Sequence, residues 1–237
     1  HILLPSDRDG YTHLYLYTLG GQLKRKIGEG QFEVTDVYGY DEATGDVYYA
    51  ANKKGPQNQE VYVTHANGKT DCLTDKTGMN SAIFSADYKD FINIWSDLDH
   101  PSVYTINTNA GRTETTLIDN KALKQKMDTY DLGSRELFSF TTADGISLNG
   151  WMVKPKDFDP AKRYPVIMYQ YGGPGNQQVL NRWNNGMCGQ GAVFEQYLAQ
   201  QGYVVVCVDN RGTGGRGADF EKCTYLQLGK LEAHDQV

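Results

Sequence analysis

The first half of the chain alternates apolar and polar residues in short segments, each followed by a turn signal. Three of these segments carry a central tyrosine, and they lie at His13–Tyr17, Glu60–Thr64 and 102–106. Alternation with a period of two is typical of β-strands that bury one face, and the Gly-Gly or Asn-Gly pairs that follow favour tight turns. The pattern predicts antiparallel strands, with further strands at 46–50 and 91–95.

These strands recur at a regular spacing. The central tyrosines, Tyr15, Tyr62 and Tyr104, are 47 and 42 residues apart. A period of about 40–50 residues with several strands in each unit is typical of a β-propeller blade, although an antiparallel sandwich also has recurring turns. Propellers close with about 4–8 blades, and far fewer fit in this stretch. We therefore expect residues 1–118 to be the last blades of a ring that begins before His1.

The pattern changes near residue 120. Residues 119–131 space their apolar side chains along one helical face, and Gly133 is a suitable stop. This pattern predicts a connecting helix, and we assign residues 119–134 as a linker.

Residues 135–237 alternate strand and helix patterns in the manner of an α/β domain. We expect strands at 137–142, 146–153, 165–171 and 203–209, and a helix at 192–201. In that helix Phe194, Tyr197 and Leu198 are expected to face inward, and Gly202 to end it. The strand at 203–209 is almost continuously apolar, which favours a parallel strand covered on both faces.

A glycine-rich segment, Tyr171-Gly172-Gly173-Pro174-Gly175, lies at the end of the strand at 165–171. In α/β-hydrolases a glycine-rich loop helps to form the oxyanion hole, where fixed donors stabilise the charge that develops on the carbonyl oxygen. The phenolic O–H of Tyr171 is a candidate donor, with Gly172, Gly173 and Pro174 supporting the loop. An ordinary Gly-Pro turn with a packed tyrosine would have the same sequence.

A second glycine-rich segment, Asp209-Asn210-Arg211-Gly212-Thr213-Gly214, follows the last strand. With Gly217 it matches the Gly-x-Gly-x-x-Gly pattern of dinucleotide-binding proteins. In those proteins the glycines directly follow the first strand, whereas here charged residues intervene and other strands come before. We expect Asp209 and Arg211 to form an ion pair or to brace the loop, and Gly212 and Gly214 to form turns. No cofactor is predicted.

Other catalytic signatures are absent from the sequence. No Gly-x-Ser-x-Gly motif occurs, so no serine of these 237 residues is a credible nucleophile. His234-Asp235 is expected on a polar helix face, with its charges in solvent. No metal site is predicted, because no Cys/His spacing fits zinc. The pairing of the four cysteines stays open; they are Cys72, Cys188, Cys207 and Cys223.

Charge and hydropathy argue against a nucleic-acid partner and against a membrane-spanning helix. The chain has 23 basic and 29 acidic residues and a net charge of −6, which disfavours a nucleic-acid partner. The longest uninterrupted apolar stretch, Tyr203 to Val208, is far shorter than the about 20 residues of a membrane-spanning helix.

Six segments occur in one colinear order along the whole chain. They are Glu33-Val34 after Gly30, Thr70-Asp71-Cys72-Leu73-Thr74, Tyr164-Pro165-Val166-Ile167-Met168, Tyr171-Gly-Gly-Pro174, Asp209-x-Arg211-Gly212-x-Gly214 and Leu228-Gly229-x-x-Glu232-x-x-Asp235-Gln236. In this order they resemble the dipeptidyl peptidase branch of the prolyl oligopeptidase class of serine peptidases, especially members from Bacteroides-like bacteria. The resemblance implies the last blades of a β-propeller followed by the N-terminal part of an α/β-hydrolase domain (135–237), truncated before the nucleophile.

The resemblance also implies an activity. Its members remove Xaa-Pro or Xaa-Ala dipeptides from peptide N-termini, and Tyr171 would donate its hydroxyl to the oxyanion. The serine and the rest of the triad would lie beyond Val237, and the acidic residues that hold the substrate amine before His1. A homodimer in an extracytoplasmic, periplasmic location is implied as well.

Two other interpretations stay open. A prolyl tripeptidyl or acylaminoacyl peptidase of the same class would differ in how its blades hold the substrate's N-terminus. A non-catalytic propeller protein, which only binds partners, would have a substituted serine elbow.

Overall fold

The computed structural model describes residues 1–183 and 193–237. The chain divides into two compact units. Unit 1 comprises His1–Trp95, Ser102–Asp119 and Gly215–Asp219, and unit 2 comprises Ser96–Pro101, Asn120–Gly214 and Phe220–Val237. The domains predicted from the sequence, 1–118, 119–134 and 135–237, are continuous stretches, and their assignment as propeller, linker and hydrolase stays a prediction. The compact units are each built from separate stretches of the chain.

Unit 1 contains three antiparallel sheets that follow one another along the chain. Their strands are β1 (Ile2–Ser6), β2 (His13–Tyr17), β3 (Leu23–Ile27), β4 (Val34–Asp41), β5 (Asp46–Ala51), β6 (Glu60–Thr64), β7 (Thr70–Cys72), β8 (Met79–Phe84), β9 (Asp90–Ser96), β10 (Val103–Thr108) and β11 (Thr113–Ile118). The strand orders are β1-β2-β3, β4-β5-β6-β7 and β11-β10-β9-β8. Each strand therefore pairs with its neighbour in the chain, as in a meander.

The repeat in the sequence corresponds to these sheets. Tyr15, Tyr62 and Tyr104 lie on β2, β6 and β10, and each of these is the second-to-last strand of its sheet. The predicted tight turns after them contain glycines with positive φ, +81° at Gly21 and +89° at Gly68. The five strands predicted in this region exist, with bounds that differ by two residues or fewer.

The two central strands of the sheet β4–β7 are buried on both faces, and their alternate side chains pack in different clusters. On β5, Val47 and Tyr49 pack in one apolar cluster with Leu14 of the first sheet. Tyr48, which lies between them in sequence, packs in another cluster with Phe91 of the third sheet. Such face-to-face stacking of successive meanders is propeller-like, and the described residues contain no closed barrel.

Unit 2 is built around a mixed sheet. Its strands are β12 (Ser134–Thr141), β13 (Ser147–Lys154), β14 (Val166–Tyr169) and β15 (Val204–Asp209), in the order β12-β13-β15-β14. The helices within the described residues are α1 (Lys121–Met127), α2 (Val193–Gln200), α3 (Ala218–Lys222) and α4 (Lys230–Gln236). β14 and β15 run parallel, and α2 lies on the crossover that parallel strands require. None of the described helices is both long enough and apolar enough to cross a membrane.

Two helices differ from their predictions. α1 ends at Met127 rather than near residue 131; it buries no residue, so tertiary packing does not extend it. In α2 the prediction that Phe194 and Tyr197 face inward is wrong, because they are 43% and 56% exposed. The buried face carries Glu195 and Ala199, and Ala199 packs with the apolar residues of β13 and β15. Ala192, the predicted first residue of α2, lies outside the described residues.

Candidate functional site

Tyr171 lies just after the end of β14, in the loop that leaves the sheet. Its side chain is 56% exposed, and its hydroxyl has no hydrogen-bond partner among the described residues. A packed structural tyrosine would usually bury its ring and bond its hydroxyl. This phenol is therefore a donor that a substrate atom could use.

The backbone after Tyr171 forms a tight turn. The N–H of Asn176 donates to the carbonyl of Gly173 at 3.2 Å. Pro174 and Gly175 are its central residues, and Gly175 has φ +74°. Proline first and a positive-φ glycine second are the residues that a type II turn requires. The prediction of a glycine-supported loop at Gly172, Gly173 and Pro174 thus has a defined local structure, while the catalytic role of these residues stays a prediction.

Asp209, the last residue of β15, holds the segment that follows this turn. Its carboxylate is buried and accepts the backbone N–H groups of Gln178 and Val179, both at 2.9 Å. The indole N–H of Trp151 donates to the Gln178 carbonyl at 3.2 Å. Asp209 therefore braces the loop after Tyr171 through main-chain bonds.

Arg211 has different partners. Its guanidinium donates to both oxygens of Asp235 on α4, with Nη2 2.6 Å from Oδ1 and Nε 3.1 Å from Oδ2. Nη1 lies 3.0 Å from Oδ2 of Asp144 in the β12–β13 turn. Asp209 and Arg211 thus act as two separate braces. The expectation that the charge of Asp235 is solvated is wrong, because its side chain is fully buried against Arg211.

This ion pair perturbs the ionisation of Asp235. Burial acts to raise the pKa of the carboxyl, but the hydrogen bonds and positive charge of Arg211 outweigh it and hold the pKa below its usual range. The same bonds to Asp235 raise the pKa of Arg211. Both groups are therefore charged at neutral pH.

Gly212 and Gly214 shape the next stretch of the loop. Gly212 has φ +99°, and a Cβ there would lie 2.8 Å from the Thr224 methyl group, so no larger residue fits. Gly214 donates its N–H to the carbonyl of Asn176 at 2.9 Å, which ties this segment to the end of the turn after Tyr171.

Within unit 1, Gly217 of the motif and its neighbour Gly215 both donate to one carboxylate. Glu33, which directly precedes β4, accepts the N–H of Gly215 at 3.0 Å and that of Gly217 at 3.1 Å. The amide of Asn52 donates to the Gly215 carbonyl at 2.9 Å. Gly215 and Gly217 have φ +83° and +91°, a geometry that points successive N–H groups at an anion. In dinucleotide-binding proteins such donors face a pyrophosphate, whereas here they bond a glutamate of the same chain.

Sequence reasoning missed Glu33 and Asp235 as partners of the glycine-rich segment. Glu33 lies 182 residues before Gly215, and no local pattern connects them. Asp235 is 24 residues after Arg211. Its only signal was the Glu-x-x-Asp-Gln spacing that carried the family resemblance.

The described residues contain no evident cysteine nucleophile and no evident metal site. Burial raises the pKa of the Cys207 thiol, which keeps it from ionising. Cys72 and Cys223 are free thiols, and Cys188 lies outside the described residues. No cluster of three or more potential metal ligands occurs among the residues described. What the site offers is a braced loop that presents one phenol.

Comparison with known proteins supports the resemblance that the six sequence segments indicate. Residues 1–102 match the dipeptidyl peptidase IV N-terminal region, and residues 193–237 match the prolyl oligopeptidase family. A relative from Emericella nidulans, named as a dipeptidyl peptidase 4, is 35% identical over 98% of this chain and 30% of its own length. The chain thus spans less than a third of the length of that relative.

Solved structures of similar proteins extend the comparison. The dipeptidyl peptidase 4 of Porphyromonas gingivalis is 41% identical, with a TM-score of 0.92 over 99% of this chain and 32% of its own. A protein from Bacteroides ovatus is 30% identical, with a TM-score of 0.85 over 99% of this chain and 35% of its own.

Proposed function

We propose that this chain, which belongs to the prolyl oligopeptidase family and is similar to its dipeptidyl peptidase 4 members along its whole length, is part of a serine exopeptidase. The intact enzyme releases Xaa-Pro or Xaa-Ala dipeptides from the N-termini of peptides. The observation that supports this most directly is the hydroxyl of Tyr171, which has no hydrogen-bond partner among the described residues and lies on a braced loop at the end of β14.

Tyr171 has one role in this proposal. When the serine oxygen attacks the scissile carbonyl, negative charge develops on the carbonyl oxygen. The phenol donates a hydrogen bond to that oxygen, beside the backbone N–H that follows the serine. Because the loop is fixed before the reaction, the donor needs little reorganisation when the charge forms. In this proposal the serine and the rest of the triad are supplied by residues of the intact enzyme outside these 237.

The architecture fits the same proposal. The three stacked meanders of unit 1 act as propeller blades, and the mixed sheet of unit 2 as the start of an α/β-hydrolase domain. In this arrangement the exit of β14 carries the oxyanion donor and Asp209 and Arg211 brace the loops around it.

The test uses the full-length protein and three chromogenic anilides. We expect rapid cleavage of Gly-Pro-p-nitroanilide and slow cleavage of Ala-Ala-Pro-p-nitroanilide and N-acetyl-Ala-p-nitroanilide. Preference for the tripeptide would indicate a tripeptidyl peptidase, and preference for the blocked substrate an acylaminoacyl peptidase. A full-length protein that cleaves none of the three would support a propeller protein that only binds partners.

The 237-residue chain is the matched control. It contains no Gly-x-Ser-x-Gly motif, so we expect it to be inactive on Gly-Pro-p-nitroanilide. Loss of triad members costs about 10⁴–10⁶ in rate in serine hydrolases. Turnover near that of the full-length protein would mean that a nucleophile lies within these residues.

We also propose, from the family resemblance, that the enzyme is bacterial, works in the periplasm and is a homodimer. Cell fractionation tests the location, and light scattering on the purified full-length protein tests the dimer. A cytoplasmic or monomeric enzyme would contradict these parts of the proposal without affecting the reaction.

A further inference from the structure

Asn210 is a fully buried amide whose hydrogen-bonding groups are all used. It directly follows β15 and is 0% exposed. Its Nδ2 donates to the carbonyl of Gly172 at 3.0 Å and to that of Arg211 at 2.6 Å. Its Oδ1 accepts from Nε2 of Gln236 at 2.9 Å and from Nε2 of Gln170 at 3.3 Å. Only an amide supplies two donors and two acceptors in this shape.

Two of these four bonds flank Tyr171. Gln170 precedes it and Gly172 follows it in the chain. The Asn210 amide therefore bonds the Gln170 side chain before Tyr171 and the Gly172 backbone carbonyl after it, whereas the Tyr171 hydroxyl has no hydrogen-bond partner among the described residues. Tyr171 is therefore held through its two chain neighbours rather than through bonds of its own hydroxyl.

The close approach of Asn210 also explains the glycine at position 172. A Cβ added to Gly172 would overlap Oδ1 of Asn210, whereas a Cβ on Gly173 would meet nothing closer than 4.0 Å. Gly172 is thus required by the amide behind the loop. Gly173 faces open space.

We infer that Asn210 is the residue that positions Tyr171 for its oxyanion role, an inference that rests on the proposed function. In this role Asn210 acts through the Gln170 side chain and the Gly172 carbonyl, and not on the reacting atoms themselves. Its effect should appear in the chemical step and only when the Tyr171 hydroxyl is present to be positioned.

The experiment is a double-mutant cycle in the full-length enzyme. Asn210→Asp keeps the shape but removes both donors, and it sets a carboxylate oxygen against the Gly172 carbonyl. With Tyr171 present we expect kcat to fall by about tenfold or more, with KM changed less than twofold. In the Tyr171→Phe background the same substitution should lower kcat less than threefold, because residues that act through one another are not additive.

Asn107→Asp is the matched control. Asn107 is also buried and also uses its amide in hydrogen bonds, accepting from Thr105 and donating to Thr113. It lies on β10 of unit 1, away from the Tyr171 loop in sequence. We expect this variant to lower Tm and to leave kcat unchanged.

The outcomes separate the two claims. An active wild-type enzyme in which Asn210→Asp lowers kcat equally with and without the Tyr171 hydroxyl would overturn the inference alone. So would an unchanged kcat, or an equal fall in Asn107→Asp. A wild-type enzyme inactive on all peptide substrates would remove the proposed function and this inference together. If Asn210→Asp does not fold, the smaller and neutral Asn210→Ser enters the same cycle with the same expectations.

Discussion

Arg211 holds Asp235 with its main chain as well as its side chain. The backbone N–H of Arg211 donates to Oδ2 at 2.7 Å, while its guanidinium donates to both carboxylate oxygens. The carboxylate is fully buried and the arginine side chain is only 13% exposed. A buried pair of this kind fixes geometry strongly, because removal of either partner leaves the other charge without compensation.

Asp235→Asn is therefore expected to destabilise the protein. Breaking a buried ion pair costs about 3–5 kcal/mol, and the remaining bond from Arg211 to Asp144 places the expected loss near the lower value. The more exposed Asp144→Asn is the control, for which a much smaller loss is expected because solvent screens its charge. Urea unfolding followed by circular dichroism measures both. Equal effects of the two substitutions would contradict the central role of Asp235.

The same pair predicts a dependence on acid. The pKa of Asp235 is lowered in the folded protein, so its stabilisation is present above the unfolded pKa of about 3.9. It is lost as the pH falls through the lower, folded pKa. The difference in Tm between wild type and Asp235→Asn should therefore be large at neutral pH and shrink toward pH 2.

Tyr171→Phe removes one hydroxyl and keeps the ring. If the phenol donates to the oxyanion, kcat of the full-length enzyme should fall by about 10²–10³, or about 3–4 kcal/mol, with little change in KM. Because the hydroxyl has no partner among the described residues, Tm should not change. A loss of kcat of tenfold or less would rule out this role, and a loss confined to KM would indicate ground-state binding instead.

The environment of His65 predicts a second dependence of stability on pH, in the direction opposite to that of Asp235. Its Nδ1 lies 2.9 Å from Asp46 and its Nε2 3.1 Å from Asp71, and the hydrogen bond to Asp46 is the main reason that the pKa of His65 is raised. Lys69 also pairs with Asp71, and the Arg25 guanidinium bonds the His65 carbonyl. A raised pKa means that the stabilisation is complete below the unfolded value of about 6.5 and is lost as the pH rises through the folded pKa.

His65→Gln tests this expectation through Tm measured from pH 5 to pH 9. The variant should be less stable than wild type at pH 5, and the difference should become small at pH 9. In an Asp46→Asn background most of this pH dependence should disappear. A difference that is constant with pH would show that His65 contributes packing and not charge.

Replacement by glutamine should change the Tm differently at the two buried glutamates of unit 1, Glu33 and Glu60. Glu33 accepts two backbone N–H groups, and hydrogen bonds to a charged group contribute about 1.5–3 kcal/mol each. Glu33→Gln should therefore lower Tm by several degrees. Glu60 is fully buried, one of its oxygens has no partner among the described residues, and burial raises its pKa. Glu60→Gln should leave Tm unchanged or raise it, and a fall equal to that of Glu33→Gln would contradict the distinction.

The strands and the Tyr171 loop could be predicted because their signals are local. The alternation around Tyr15 and Tyr62 reflects the two faces of a strand, and Pro174-Gly175 fixes a turn by its own φ preferences. The inward face of α2 could not be predicted from hydrophobicity. Glu195 and Ala199 face the sheet there, although Phe194 is more apolar than either.

The contacts that brace the site could not be predicted from the sequence for a different reason. Asp235, Glu33 and Asn210 act through partners that are remote in sequence, and each satisfies backbone donors or carbonyls that carry no residue identity. A buried Asn in a loop is common, and only the position of the Gly172 carbonyl shows what Asn210 binds. Such relationships become visible only once the chain is folded.

The hydrogen bonds between Glu33 and the backbone of Gly215 and Gly217 have a consequence for chimaeras made by recombination with related chains. Any single recombination point between residues 34 and 214 takes the acid from one parent and the glycines from the other. A residue other than glutamate at position 33 would leave the two backbone N–H groups without their acceptor, at a cost of about 1–3 kcal/mol for each buried group left unpaired. A residue with a side chain at 215 or 217 would be strained at the positive φ that aims these N–H groups at the carboxylate. Chimaeras of this chain with distant relatives should therefore survive when the glutamate and the glycines are inherited from one ancestor, and fail when they are not.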